Sequence, residues 1–134
     1  MFLHETKIRV RYSETDQMGF VYYGNYAAYL EVGRVEALRF AGFPYKDLEA
    51  RGVLLPVVNL TINYKKPAVY DDLLTIKTTI QQVPSVKIVF ESSIYNEQGD
   101  LIVEASVTLV CIDGITKRPI KGPDDLLDKI KSYL

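Results

Sequence analysis

Asp16 is the residue of this 134-residue chain whose type and spacing best suit chemistry. It follows an alternating apolar and polar segment and precedes a long helical pattern, and Gly19 and Gly24 between them let the backbone turn tightly. A helix N-terminus offers unpaired backbone N–H groups and a partial positive charge. Aimed at a carbonyl oxygen, those donors form an oxyanion hole. A carboxylate opposite them can attack the carbonyl or deprotonate a water. The same residues also suit a simpler part, in which Asp16 caps a turn together with Ser13 and Thr15. Residue type and spacing leave both readings open.

Other chemistries lack their residues. A Ser-His-Asp or Cys-His device needs a histidine, and the only one is His4, beside the start of the chain. Cys111 lies inside an apolar strand pattern and reads as a small core residue. Clustered His and Cys ligands for zinc are absent from the sequence, so neither a metal nor a cofactor is expected. The spacing Gly19-x-x-x-x-Gly24 mimics half a P-loop, but Asn25 and Tyr26 stand where the Lys and the Ser or Thr belong. A net charge of −1 argues against a general nucleic-acid or membrane-surface binder. No apolar run is long enough for a bilayer span, and Met1 to Lys7 does not read as a signal peptide. One cysteine forms no intramolecular disulfide, which makes the cytoplasm the natural compartment.

The elements that must position Asp16 can be read from periodicity. Tyr26, Tyr29, Leu30, Gly33, Ala37, Phe40 and Ala41 share one helix face, with Asn25 as N-cap and Gly42 and Pro44 as the stop. The remaining faces still carry Ala27, Ala28, Val32, Val35 and Leu38, so the helix is expected to be wrapped by other structure. Gly33 costs helix propensity, roughly 1 kcal/mol against Ala, and predicts the close approach of a strand. A first strand is expected over Thr6 to Tyr12, with Ile8, Val10 and Tyr12 facing inward. A short helical turn is placed at Tyr45 to Glu49. Four more strands follow, near Val53 to Tyr64, Leu73 to Val83, Val86 to Asn96 and Leu101 to Ile112. Pro56 bends the first of these or sets it at an edge. The last, apolar in both registers, is expected at the centre of the sheet with its second face free for another subunit. Pro123 to Leu134 reads as a short amphipathic helix. At 134 residues this makes a single domain over residues 1–134, of α+β class, with a five-stranded antiparallel sheet curled around one long helix.

The run Arg11-Tyr12-Ser13-Glu14-Thr15-Asp16-Gln17-Met18-Gly19-Phe20-Val21-Tyr22-Tyr23-Gly24-Asn25-Tyr26, followed by Tyr29-Leu30-Glu31 and Arg34-Val35-Glu36, resembles the hotdog-fold thioesterases of the 4-hydroxybenzoyl-CoA thioesterase type. Val58, Asn63 to Ala68 and Asp71-Asp72 extend the likeness over most of the chain. The resemblance implies a curled antiparallel sheet around a central helix and hydrolysis of an acyl thioester. It puts Asp16 in the position of the catalytic carboxylate, as nucleophile or general base, and the backbone N–H of Tyr23 where it polarises the thioester carbonyl. Gly19, Val21, Tyr22, Gly24 and Asn25 fall around the substrate, although helix capping is the other reading of Asn25. Many relatives carry a histidine where Tyr23 stands, so that histidine's side-chain contacts do not carry over. Glu31 and Arg34 match family positions as an i,i+3 ion pair or a contact with a partner subunit, and Glu14 is assigned to solvent or to a supporting layer. Lys117 and Arg118, with Lys65, Lys66 and Lys87, are candidates to meet the CoA nucleotide, a solvated surface charge being the other reading of each. Phe20, Tyr22, Tyr26 and Tyr29 are candidates to shape the acyl pocket, with core packing as the equal alternative. Implied partners are acyl-CoA, with an acyl carrier protein as the alternative donor, and further copies of the chain in a homodimer or homotetramer. A non-catalytic binding module for acyl thioesters is the alternative outside the enzyme class.

Overall fold

A computed structural model describes residues 1–134. In chain order the elements are β1 (Phe2–Arg9), a 3-10 turn (Tyr12–Glu14), α1 (Asn25–Phe40), α2 (Tyr45–Ala50), β2 (Val53–Leu54), β3 (Val57–Tyr64), β4 (Leu73–Ile80), β5 (Lys87–Tyr95), β6 (Leu101–Val110), β7 (Ile112–Asp113) and α3 (Asp124–Lys131). Five strands form one antiparallel sheet in the order β1-β4-β5-β6-β3, and β2 pairs separately with β7. Helix α1 packs on β1, β4 and β5, and the core fills the space between. This is the α+β architecture that the periodicity predicts and the hotdog fold that the resemblance of the motif implies.

The fit of α1 to the sheet is close. A Cβ on Gly33 would stand 2.7 Å from both Ile76 Cγ2 and Thr78 Oγ1 of β4, which is the strand approach that a mid-helix glycine implies. Tyr26, Tyr29, Leu30, Ala37 and Leu38 are buried alongside it. Phe40 is not: it lies 61% exposed at the rim, where its ring stacks on His4 at 4.9 Å. Arg34 is buried instead, and its Nε has no hydrogen-bond partner. The expected Glu31–Arg34 ion pair does not form, Arg34 being buried while Glu31 faces solvent; the i,i+3 pair on α1 is Glu36 with Arg39 at 3.5 Å.

Several boundaries move for identifiable reasons. Strand β1 ends at Arg9, and Tyr12 is exposed rather than inward, because the Glu14 carboxylate accepts the Arg11 N–H at 2.8 Å and curls the chain into the 3-10 turn. The strand expected from Val53 divides at Leu55-Pro56, as the proline's missing donor requires. Strand β4 stops at Ile80. The final strand breaks at Cys111, which is fully buried, and β5 rather than β6 occupies the centre. The outer face of β6 is not an apolar surface: Glu104, Ser106 and Thr108 lie between Ile102 and Val110.

Strand β3 is an edge strand and mostly solvent-exposed. Its register pairs Leu60 with Val107, Ile62 with Ala105 and Tyr64 with Val103, all three partners being buried core residues. Residues directly opposite one another share a face, so Leu60, Ile62 and Tyr64 belong to the helix-facing side of the sheet. Leu60 and Tyr64 nevertheless remain exposed, since α1 lies over the other half.

Candidate active site

The site is built where the loop after β1 meets the start of α1. Asp16 opens a small closed loop. Its N–H donates to the Phe20 carbonyl at 2.8 Å, the Gly19 N–H donates to the Asp16 carbonyl at 3.0 Å, and Gly19 adopts φ +82°, which glycine reaches without steric cost. The Asp16 side chain takes part through one oxygen, Oδ1, which accepts the N–H of Met18 at 2.9 Å and of Phe20 at 3.3 Å. The turn-capping reading of Asp16 is thus realised by one oxygen, and Oδ2 has no partner in the chain. Val21 N–H donates to Ala68 O at 2.8 Å and pins the loop to the segment before β4.

Helix α1 begins at Asn25 with Gly24 at the N-cap, and no side chain caps it. Asn25 is therefore not the cap the sequence predicts. Its Nδ2 donates to the Glu14 carbonyl at 2.8 Å and ties the helix start to the loop. The N–H groups of Asn25 and Tyr26 donate to the carbonyls of Tyr22 and Tyr23, whereas those of Tyr23 and Gly24 donate to no backbone carbonyl. The free donors sit one step earlier than the first helical turn.

Two cavities meet at Asp16. One, of about 550 Å³, is lined by Asp16, Met18, Phe20, Val21, Tyr22, Tyr23, Tyr26, Tyr64, Lys65, Lys66 and Pro67. The other, of about 880 Å³, is more polar and includes Asp16, Gly19, Tyr22 and Asn25 with Ser13 and Thr15. Asp16 and Tyr22 belong to both. The fold thus gathers Asp16, Gly19, Val21, Tyr22, Tyr23 and Asn25 around one spot, with Gly24 at the helix start beside them. Tyr29 is absent from both linings, being buried in the core. Lys117 and Arg118 also lie apart. They sit on the turn after β7, where Lys117 Nζ donates to the Gly114 carbonyl at 2.6 Å. The cations at the cavity mouth are Lys65 and Lys66, and Lys66 is paired with Asp100 at 2.7 Å.

Two residues gain importance that the sequence alone does not give them. Tyr64, from the end of β3, closes the aromatic wall: its ring stands edge-on to Tyr23 at 6.4 Å and tilted against Tyr26 at 5.6 Å, and its hydroxyl donates to the Tyr23 carbonyl at 3.4 Å. Only its helix-facing register within the strand hints at this. Glu14 is the second. Burial pulls its carboxyl pKa upward, yet the Arg11 N–H, the Tyr29 hydroxyl and the Arg11 guanidinium outweigh burial and hold it below the ordinary carboxylate range. Conversely, burial and the neighbouring Glu14 carboxylate raise the Tyr29 phenol pKa.

The sequence profile of the Thioesterase superfamily matches residues 18–103 of the chain. The chain belongs to that family. YneP of Bacillus subtilis, provisionally assigned as an acyl-CoA thioesterase, is 41% identical over 121 residues, covering 90% of this chain and 88% of its own. The acyl-CoA thioester hydrolase YbgC of Escherichia coli O6:H1 is 36% identical over 124 residues, 92% of each chain. Among solved structures, a DHNA-CoA thioesterase from Staphylococcus aureus superposes with a TM-score of 0.92 at 36% identity, over 99% of this chain and 93% of that one. As a member of the thioesterase superfamily the protein is a thioester hydrolase, and the family that the Asp16 motif resembles is the one to which it belongs. No helix is long and apolar enough to cross a membrane.

Proposed function

We propose that this thioesterase hydrolyses an acyl-CoA, with Asp16 as the reacting carboxylate and the Tyr23 N–H as oxyanion donor. The observation that carries this reading is the placing of Asp16 and Tyr23 on the wall of one largely apolar cavity, with one carboxylate oxygen and one backbone N–H unclaimed by the chain. The acyl group enters among Phe20, Tyr22, Tyr23, Tyr26 and Tyr64, and the thioester carbonyl lies between Asp16 and the helix start. In the nucleophilic route, an Asp16 oxygen bonds to the carbonyl carbon, the C–S bond breaks, and CoA leaves as thiolate; water then hydrolyses the mixed anhydride. In the general-base route, Asp16 takes a proton from water, hydroxide attacks the same carbon, and the thiolate leaves as the tetrahedral intermediate collapses. Either way the negative charge forms on the carbonyl oxygen, where a preorganised N–H is worth most. Release of free thiol from a panel of short, medium, long and aromatic acyl-CoAs tests the reading. Turnover of at least one member is expected; a panel without turnover, in which an acyl carrier protein thioester is cleaved, moves the reading to that donor.

Lys65 is the proposed contact for the anionic CoA portion, since it lines the cavity mouth and, unlike Lys66, has no carboxylate partner. A solvent-exposed ion pair is worth up to about 1 kcal/mol. Lys65→Ala is therefore expected to raise KM up to about fivefold with kcat unchanged, and the effect should shrink in high salt. Steady-state kinetics at two ionic strengths checks this.

The working unit is proposed to be a dimer or tetramer of the chain. Supporting this is the open edge of β3, whose helix-facing Leu60 and Tyr64 stay exposed, Tyr64 being also part of the cavity wall. Sedimentation of the wild type is expected to give at least a dimer. Leu60→Glu should shift it toward monomer and lower activity with it; a wild type that sediments as a fully active monomer contradicts the assignment.

A further inference from the structure

We infer that Glu14 is a positioning residue for the hydrolysis, holding Asp16 at a fixed place relative to the start of α1; this rests on the mechanism proposed above. The segment from Val10 to Gly24 carries both Asp16 and Tyr23 but has only one 3-10 turn and the isolated bridges Thr15–Val21 and Phe20–Val69 for regular structure. Hydrogen bonds to Glu14 supply what the ladder does not. Its Oε1 accepts from the Tyr29 hydroxyl at 2.9 Å and the Arg11 N–H at 2.8 Å, and its Oε2 from the Arg11 guanidinium at 3.2 and 3.3 Å. Its carbonyl oxygen accepts from the Tyr22 N–H at 2.9 Å and from Asn25 Nδ2 at 2.8 Å. The Glu14 side chain is only 13% exposed.

The anchors at the far end are rigid. Tyr29 is 1% exposed and its ring stands edge-on to Tyr26 at 5.9 Å, so its hydroxyl is a fixed point of the core. Asn25 and Tyr29 lie one turn apart on α1, so Glu14 grips the helix at two heights. Asp16 follows two residues later, and Tyr22, bonded to the Glu14 carbonyl, immediately precedes Tyr23. Together with the Asp16–Phe20 and Val21–Ala68 backbone bonds, Glu14 therefore holds the spacing between the carboxylate and the amide that must meet across the thioester. The position calls for a carboxylate, because every group facing it is a donor; a carboxamide would turn its NH₂ against either the guanidinium or the Tyr29 hydroxyl and Arg11 N–H. Glutamate also has the length to reach Tyr29.

The test compares wild type, Glu14→Gln, Tyr29→Phe and the double variant by steady-state kinetics and by amide hydrogen exchange followed by NMR. Displacing reacting groups by about an ångström costs on the order of 100-fold in rate. For Glu14→Gln the expected result is a fall in kcat of about 10- to 100-fold with KM within about twofold, and for Tyr29→Phe a smaller fall. The double variant should be no slower than Glu14→Gln alone, because both break one connection. The Tyr22 amide should exchange at least about tenfold faster in Glu14→Gln, while β4 and β5 amides keep wild-type rates. A kcat within about threefold of wild type, or independent additive losses, overturns the inference. So does an unchanged Tyr22 exchange rate or a rise spread evenly over the chain, whatever the activity. If instead Asp16→Asn hydrolyses the same substrate as fast as wild type, the assignment of Asp16 fails, and the exchange data alone then decide whether Glu14 fixes the loop.

Discussion

Asp16→Asn is expected to lower kcat by about 10²–10⁴-fold, the range that a lost general base or an equally essential nucleophile produces. The substitution isolates chemistry from structure because asparagine keeps the oxygen that the loop uses. Oδ1 can still accept the N–H groups of Met18 and Phe20, the Gly19 turn is untouched, and the residue is only partly buried. What disappears is the negative charge and the nucleophilic or basic character of the second oxygen. The cavity wall stays aromatic, so KM for a good acyl-CoA should remain within about threefold of wild type, as expected when an interaction made only in the transition state is removed. Thiol release under saturating substrate, paired with a melting curve for each protein, reads both parts. A variant that melts like wild type and retains more than about a third of kcat would remove Asp16 from the mechanism. Asp16→Ala is the less informative companion, since it also strips the acceptor from Met18 and Phe20 and loosens the loop. Trapping a mixed anhydride on Asp16 during wild-type turnover would select the nucleophilic route over the general-base one.

How much of this could be read in the sequence follows the range of the forces involved. The helix was legible because its burial is periodic, and Gly33 was legible as a packing glycine because its propensity cost demands a compensating contact. The loop around Asp16 was legible because glycine positions and a conspicuous motif are local. What lay hidden depends on residues far apart in the chain. Tyr64 joins the cavity wall only because the β3 edge ends beside the helix start, 41 positions from Tyr23. Arg34 looks from its spacing like a surface partner of Glu31, and it is the packing of α1 into the fold that takes it inside. Glu14 reads in the sequence as either a solvent charge or a supporting residue, and only the fold shows its carboxylate bonded to the buried Tyr29 hydroxyl. The cations show the same limit: sequence gives their number, but only the fold shows that Lys65 and Lys66 share a cavity lining with Asp16.

The second large effect is expected at Gly33, far from the reacting atoms. Gly33→Ala should destabilise the chain by about 1–2 kcal/mol, although alanine favours a helix by roughly 1 kcal/mol. The new Cβ would lie 2.7 Å from Ile76 Cγ2 and from Thr78 Oγ1, inside any ordinary contact distance. Both neighbours are β-branched, fully buried and on an interior strand, so neither has a free rotamer to move into. Overpacking of this kind costs about 1–3 kcal/mol, which exceeds the gain in propensity. Thermal denaturation should show a midpoint about 5 °C lower. Gly33→Leu has no compatible arrangement and should prevent α1 from docking, a loss above about 4 kcal/mol. The contact itself can be verified through Thr78, whose hydroxyl is buried without a partner. Thr78→Ala removes that oxygen and opens room on one side of the added methyl. In the double variant the cost of Gly33→Ala should therefore fall, giving a coupling of at least about 0.5 kcal/mol in the cycle. Strict additivity would mean that α1 does not sit as close to β4 as 2.7 Å implies. The prediction also reaches the site: a helix lifted from β4 carries Tyr29 and its own N-terminus away from Glu14 and Asp16, so kcat should fall in Gly33→Ala even at temperatures where the protein is fully folded.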